Sequence, residues 1–198
     1  MAKIESDAVR PVAGHLFTVE EFIKLLQAEV LSADKKFELI EGEIFEMTAM
    51  EAPHFAAVMR LNHLFVEKLG KMGQVSVQSP IRLSAYSMPE PDLVILHPRS
   101  DFYAAELPKA SDVLLIVEVS GTTLSRDKAV KRPLYANHNL VELWIVNLSE
   151  LQLEVYREPK GKTYRQTLIL DHADYITPLK FPDVSFSVAE ILGTKPLS

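Results

Sequence analysis

Between residues 17 and 30 the apolar side chains Phe17, Phe22, Leu25 and Leu26 recur at near-helical spacing. That pattern predicts a short helix, with Thr18 as its N-cap and Glu21, three residues on, completing a capping box. FELIEGEIFEM then reads as two strands turned about Glu41-Gly42, where glycine supplies the positive φ of a tight turn. Pro53 opens a longer helical pattern, APHFAAVMRLNHLFVEKLGKMG. Its Val58, Leu61, Leu64, Phe65 and Leu69 make one core-facing stripe, and Gly70 or Gly73 marks its end.

Three strand patterns follow, in VSVQSPIRL, PDLVIL and VLLIVEV. The unbroken apolar character of the last two predicts strands covered on both faces. SRDKAVKRPLYANHN reads as helical, although Pro133 removes a hydrogen bond to the carbonyl of Ala129 and so predicts a kink or a frayed first turn. VELWIVN and LQLEVYRE are two more strands joined around Ser149-Glu150, TYRQTLIL another, and FSVAEIL a short terminal helix. This order predicts an α/β or α+β domain with a central mixed β-sheet flanked by helices.

Composition narrows the chemistry. With 198 residues, 47% hydrophobic and 24% charged, the chain suits one globular domain, here taken as residues 17–198 behind a flexible segment 1–16. It has no cysteine, so any metal must be held by carboxylates or histidines. It has no apolar run long enough to cross a membrane, and MAKIESDAVRPVAGH lacks the form of a secretory signal, so a cytoplasmic protein without a membrane partner is expected. With seven glycines and no Gly-rich phosphate loop, nucleotide-fold readings have no support. The formal charge of −6 opposes a surface given over to nucleic acid, yet residues 124–132, LSRDKAVKR, form a locally basic segment.

Two acids stand out because they sit in apolar strands. Glu118 lies inside LLIVEVS and Asp92 opens PDLVIL, and a lone buried charge is costly without a partner. If their strands are neighbours, the two carboxylates converge on one hard cation, Mg²⁺ or Mn²⁺, that keeps several waters. Lys131, in the segment after the Glu118 strand, can reach back over its end and complete an electrostatic clamp suited to phosphodiester hydrolysis. The plainer alternatives are a capping acid after Pro91 for Asp92, a buried ion pair for Glu118 and a solvated charge for Lys131.

PDLVIL, VEVS, RDKAVKRPLYA and VELWIVN together resemble the PD-(D/E)XK nuclease superfamily, and more closely the bacterial Uma-type family of restriction endonucleases. FELIEGEIFEM, APHFAAVMRLNHLF and FPDVSFSVAEIL match that family's order, so the likeness covers most of residues 17–193. The resemblance implies a restriction-endonuclease-like fold, Asp92 and Glu118 as metal ligands, and Lys131 as the superfamily lysine moved onto the following helix. It also makes Glu38 an accessory ligand or water positioner and draws attention to His54 at a helix start. The parent motif places its lysine two residues after the acid, where this chain has Ser120, and Lys128 competes with Lys131 for the role.

Other residues carry less. Gln78 lies before PDLVIL with nothing to choose between its two faces, Tyr135 reads as packing against the sheet, and Trp144 reads as core. The remaining histidines have no zinc spacing. The expected activity is therefore a metal-dependent endodeoxyribonuclease, with DNA as partner and a homodimer as one way to assemble a longer groove. The competing expectations are a catalytically silent module binding nucleic acid or protein, and a metal-dependent hydrolase of small phosphoesters.

Overall fold

A computed structural model of the chain describes residues 14–47, 50–121 and 123–194. The expected flexible segment 1–16 lies, up to residue 13, outside the described residues. Helix α1 spans Val19–Gln27 and starts as its sequence predicts: the Thr18 hydroxyl accepts from the Glu21 amide at 3.2 Å while Glu21 accepts from the Thr18 amide at 2.8 Å. Strands β1 (Phe37–Ile40) and β2 (Glu43–Glu46) form the hairpin, with Gly42 at φ +86°. Helix α2, Ala52–Leu69, carries Pro53 in its first turn, where the missing amide has no helical partner to lose, and it ends at Gly70.

Strands β3 (Gln74–Val77), β4 (Leu93–Leu96) and β5 (Val113–Ser120) run antiparallel in turn. Ile81–Leu83, read as part of the first of these strands, lie outside it: the ladder stops at Val77, and Gln78 turns the chain with φ +44°. After β5 the chain crosses over through α3 (Leu124–Arg126), a π-helical turn over Asp127–Lys131 and α4 (Arg132–Asn137). Pro133 therefore sits in the first turn of α4, and the wider helical turn before it takes up the break that proline imposes.

The crossover returns the chain parallel to β5 as β6 (Glu142–Asn147), and β7 (Gln152–Lys160) and β8 (Thr163–Leu170) complete a six-stranded sheet in the order β3-β4-β5-β6-β7-β8. Only the β5–β6 pairing is parallel, so the sheet is mixed and the domain α+β. Two residue pairs from β9 (Tyr175–Ile176) and β10 (Phe186–Ser187) make a third, small sheet before α5 (Val188–Leu192). Strands this short show no legible period.

Both faces of the central strands are covered, as their continuous apolar sequences require. Leu93, Ile95, Leu115, Val117 and Trp144 pack against Leu61, Phe65 and Leu69 of α2 and Ile191 of α5. Val94, Ile116, Leu143 and Ile145 pack on the other face against Leu134 and Tyr135 of α4. Glu118 shares the parity of Ile116 and so projects toward the α4 face. Among the described residues no helix is long and apolar enough to cross a membrane.

Candidate active site

The β4–β5 register pairs Leu93 with Val117, so one step further along the same antiparallel ladder brings Asp92 across from Glu118. The two acids that stand out in sequence thus meet at one end of the sheet. Glu118 is 2% exposed, and its Oε1 accepts from the Tyr135 hydroxyl at 2.6 Å and lies 3.0 Å from Lys131 Nζ. Burial pushes its pKa up to about 8, against the pull of Lys131, and the nearby charge of Asp92 adds to the rise.

Asp92 is held differently. Burial raises its pKa, but His54, the Val119 amide and Lys131 together outweigh that and leave it below the ordinary carboxylate value. Its Oδ1 lies 2.8 Å from His54 Nε2 and accepts from Gln78 Nε2 at 3.1 Å, while its Oδ2 accepts from the Val119 amide at 2.9 Å. The hydrogen bond to Asp92 is the main reason the His54 imidazole is held above its usual pKa.

The π-helical turn brings Lys131 over the end of β5, 6% exposed and shared between two acids. Its Nζ lies 3.7 Å from Glu38 Oε2 in addition to the Glu118 contact. Burial disfavours its charge, yet Glu118, Glu38, Asp127 and Asp92 outweigh burial and raise its pKa. Lys128 points elsewhere, to Glu154 at 2.6 Å, so the structure separates the two candidate lysines. Glu38 faces inward at 1% exposure and binds Arg126 at 2.7 Å.

Four residues belong to this group beyond those that sequence singled out for chemistry. Tyr135, expected to pack, is fully buried and also donates to Glu118, and burial raises its own pKa well above the usual value. Gln78 faces the cleft, and its left-handed backbone is a strained conformation for a side chain to hold. Arg126 lies over the Phe45 ring at 4.9 Å and lines the same cleft. Asp127 is buried and accepts from Ser120 at 2.6 Å and Thr123 at 2.9 Å, tying the loop after β5 to the turn that carries Lys131. The density of polar residues in 120–127 was the available signal for the last two; pairing between distant segments supplied none for the others.

These side chains line a cavity of about 540 Å³ between the β1–β2 hairpin, the start of α2 and the loop after β5. Eight acidic side chains line it against three lysines, one arginine and His54, so its wall is net negative. One oxygen of each central carboxylate is saturated by two side-chain partners, whereas Asp92 Oδ2 and Glu118 Oε2 each accept a single backbone amide, the latter at 3.4 Å. Two hard oxygen donors with spare lone pairs fit a cation of the Mg²⁺ type that completes its shell with water. Among the described residues no group of three or more His, Asp or Glu is arranged to hold a metal.

Comparison with known proteins agrees with this architecture. The profile of the Uma2 family, described as "Putative restriction endonuclease", matches residues 19–189. A crystal structure of a "putative nuclease belonging to DUF820" from Anabaena variabilis superposes with a TM-score of 0.72 at 18% identity, covering 89% of this chain and 98% of that one. At that identity the likeness speaks for the fold. No curated protein matches the chain.

Proposed function

The chain belongs to the Uma2 family, and on that premise we propose that it is a Mg²⁺- or Mn²⁺-dependent endonuclease that hydrolyses phosphodiester bonds in DNA. The observation that carries this reading is the meeting of Asp92 and Glu118 across one ladder with Lys131 Nζ 3.0 Å from Glu118. In this reading Asp92 and Glu118 hold the cation, which when bound supplies the charge that acidifies a water and offsets charge on the phosphoryl oxygens.

The chain's own residues do the rest. His54 and Gln78 fix the orientation of Asp92 by closing one of its oxygens, and Tyr135 does the same for Glu118. Lys131, kept protonated by the acids around it, places a fixed positive charge beside the reacting phosphate. Glu38, itself paired to Arg126, faces that ammonium and helps fix its position instead of binding metal. The negative wall makes approach of a polyanion dependent on the cation.

The test is cleavage of plasmid and oligonucleotide DNA in Mg²⁺ or Mn²⁺, with Asp92→Ala and chelator as controls. Divalent-dependent cleavage lost in the variant supports the proposal; strong cleavage in excess chelator overturns it. A second reading, a catalytically silent nuclease-fold module, is favoured by one observation: Glu118 and Glu38 are each already paired to a basic side chain. Salt-sensitive DNA binding without turnover in any divalent metal would select it.

A further inference from the structure

Helix α2 is apolar on two opposite faces. Val58, Leu61, Leu64, Phe65 and Leu69 fill the core. On the solvent side Phe55, Met59 and Val66 are 56%, 53% and 53% exposed, and the exposed Ala52, Ala56 and His63 lie among them. The helical spacing places these residues on a single ridge along the helix. Met50 and Met72, also exposed, flank the helix at its two ends, Met50 lining the cleft as well. The exposed His63–Glu67 pair, 3.3 Å apart, is the polar part of that side, and a largely apolar ridge of this kind marks a contact surface.

We propose that the ridge is the interface between two copies of the chain, packed as an antiparallel pair of α2 helices about a twofold axis. The argument for a second copy over another protein is self-complementarity, which a twofold interface requires. With the axis level with Leu61, Met59 of one copy meets His63 of the other, Ala56 meets Val66, Phe55 meets Glu67, and Met50 meets Met72. The same register brings the exposed Glu51 of one copy beside the exposed Lys71 of the other at both ends of the seam. Antiparallel packing also sets each helix N-terminus beside a C-terminus, so the helix dipoles add to this charge match.

The seam adjoins the cleft, because Phe55 follows His54, which touches Asp92. An antiparallel pair therefore sets two clefts at opposite ends of the helices, separated along the seam by roughly the 27 Å that eighteen residues span. A single pair of helices covers less than the roughly 800 Å² per partner of a standard stable interface, so the dimer dissociates on dilution.

Sedimentation velocity on the full chain over a wide concentration range tests the proposal. The wild type shifts from monomer mass to twice that mass as concentration rises. Met59→Glu places two carboxylates near the axis and stays monomeric throughout, with an unchanged thermal melt at concentrations where the wild type is monomeric, because the position faces solvent; Val66→Lys serves as a second disruption. Glu51→Lys and Lys71→Glu each weaken association several-fold, and the double variant restores it. A wild type monomeric at every concentration, leaving the ridge to some other partner, overturns the proposal. So does a dimer that folded Met59→Glu and Val66→Lys leave intact, or a charge exchange that fails to restore association.

Discussion

Lys131 Nζ sits 3.0 Å from Glu118 Oε1, so an ammonium from the crossover helix faces a carboxyl group buried in the adjoining strand and favours its ionised form. The contact joins stability to chemistry, because the same pair that makes burial of Glu118 tolerable also lies at the floor of the cleft. Removing the lysine leaves both Glu118 and Glu38 short of a partner. Lys131→Met is expected to lower unfolding free energy by about 3–5 kcal/mol in urea titration above pH 8, where Glu118 is ionised. It is also expected to reduce DNA cleavage at least about 100-fold. Lys128→Met, which releases Glu154 instead, should retain cleavage in proportion to the protein that remains folded.

The raised pKa of Glu118 makes stability depend on pH in a definite direction. Its folded value, pushed up to about 8 by burial, exceeds its ordinary 4.5, so the folded state holds a proton that the unfolded chain has released. Stability from this group is complete below pH 4.5 and is lost as pH rises toward 8. Without divalent cation, the melting temperature is expected to fall across that window, and Glu118→Gln should flatten the slope. His54, also raised, acts in the same sense, whereas the lowered Asp92 contributes stability that disappears only when the solution becomes strongly acidic.

Tyr135 donates its hydroxyl to the same carboxylate oxygen that faces Lys131. Tyr135→Phe keeps the ring and its packing but deletes that hydrogen bond. The expected cost above pH 8, where Glu118 is ionised, is roughly 1.5–3 kcal/mol, the usual range for a hydrogen bond to a charged group. Chemical denaturation measures it; a variant as stable as the wild type would show that the hydroxyl does not stabilise the Glu118 site.

At Gln78 the backbone and the side chain make opposing demands. The positive φ favours glycine, yet the side chain donates to Asp92. Gln78→Gly should therefore be more stable than Gln78→Ala by about 1 kcal/mol. Both variants should bind Mg²⁺ more weakly than the wild type in calorimetry, because Asp92 loses an orienting donor.

The elements with strong local signals were legible in the sequence. Thr18 and Glu21 closed the capping box of α1, Gly42 turned the hairpin, and the stripe from Val58 to Leu69 became the core face of α2. Residues whose placement depends on a break in the pattern were less legible. Nothing local ends β3 at Val77 or turns Gln78 inward, because that turn is set by pairing of the Gln78 amide with the Asp92 carbonyl. Pro133 announced a disturbance in its helix but not the π-helical turn that absorbs it.

What the sequence alone determined is the longer strands and helices, the anomaly of two acids in apolar strands and the family order of its motifs, since each rests on spacing within one segment. The tertiary structure decided which lysine serves Glu118, which way Glu38 and Gln78 face, and that Tyr135 and Arg126 join the group. Those outcomes depend on the register between β4 and β5 and on the parallel crossover to β6. Contacts between segments far apart in the chain are settled by packing of the whole sheet and its helices, and the spacing of residues within any one segment carries no record of them.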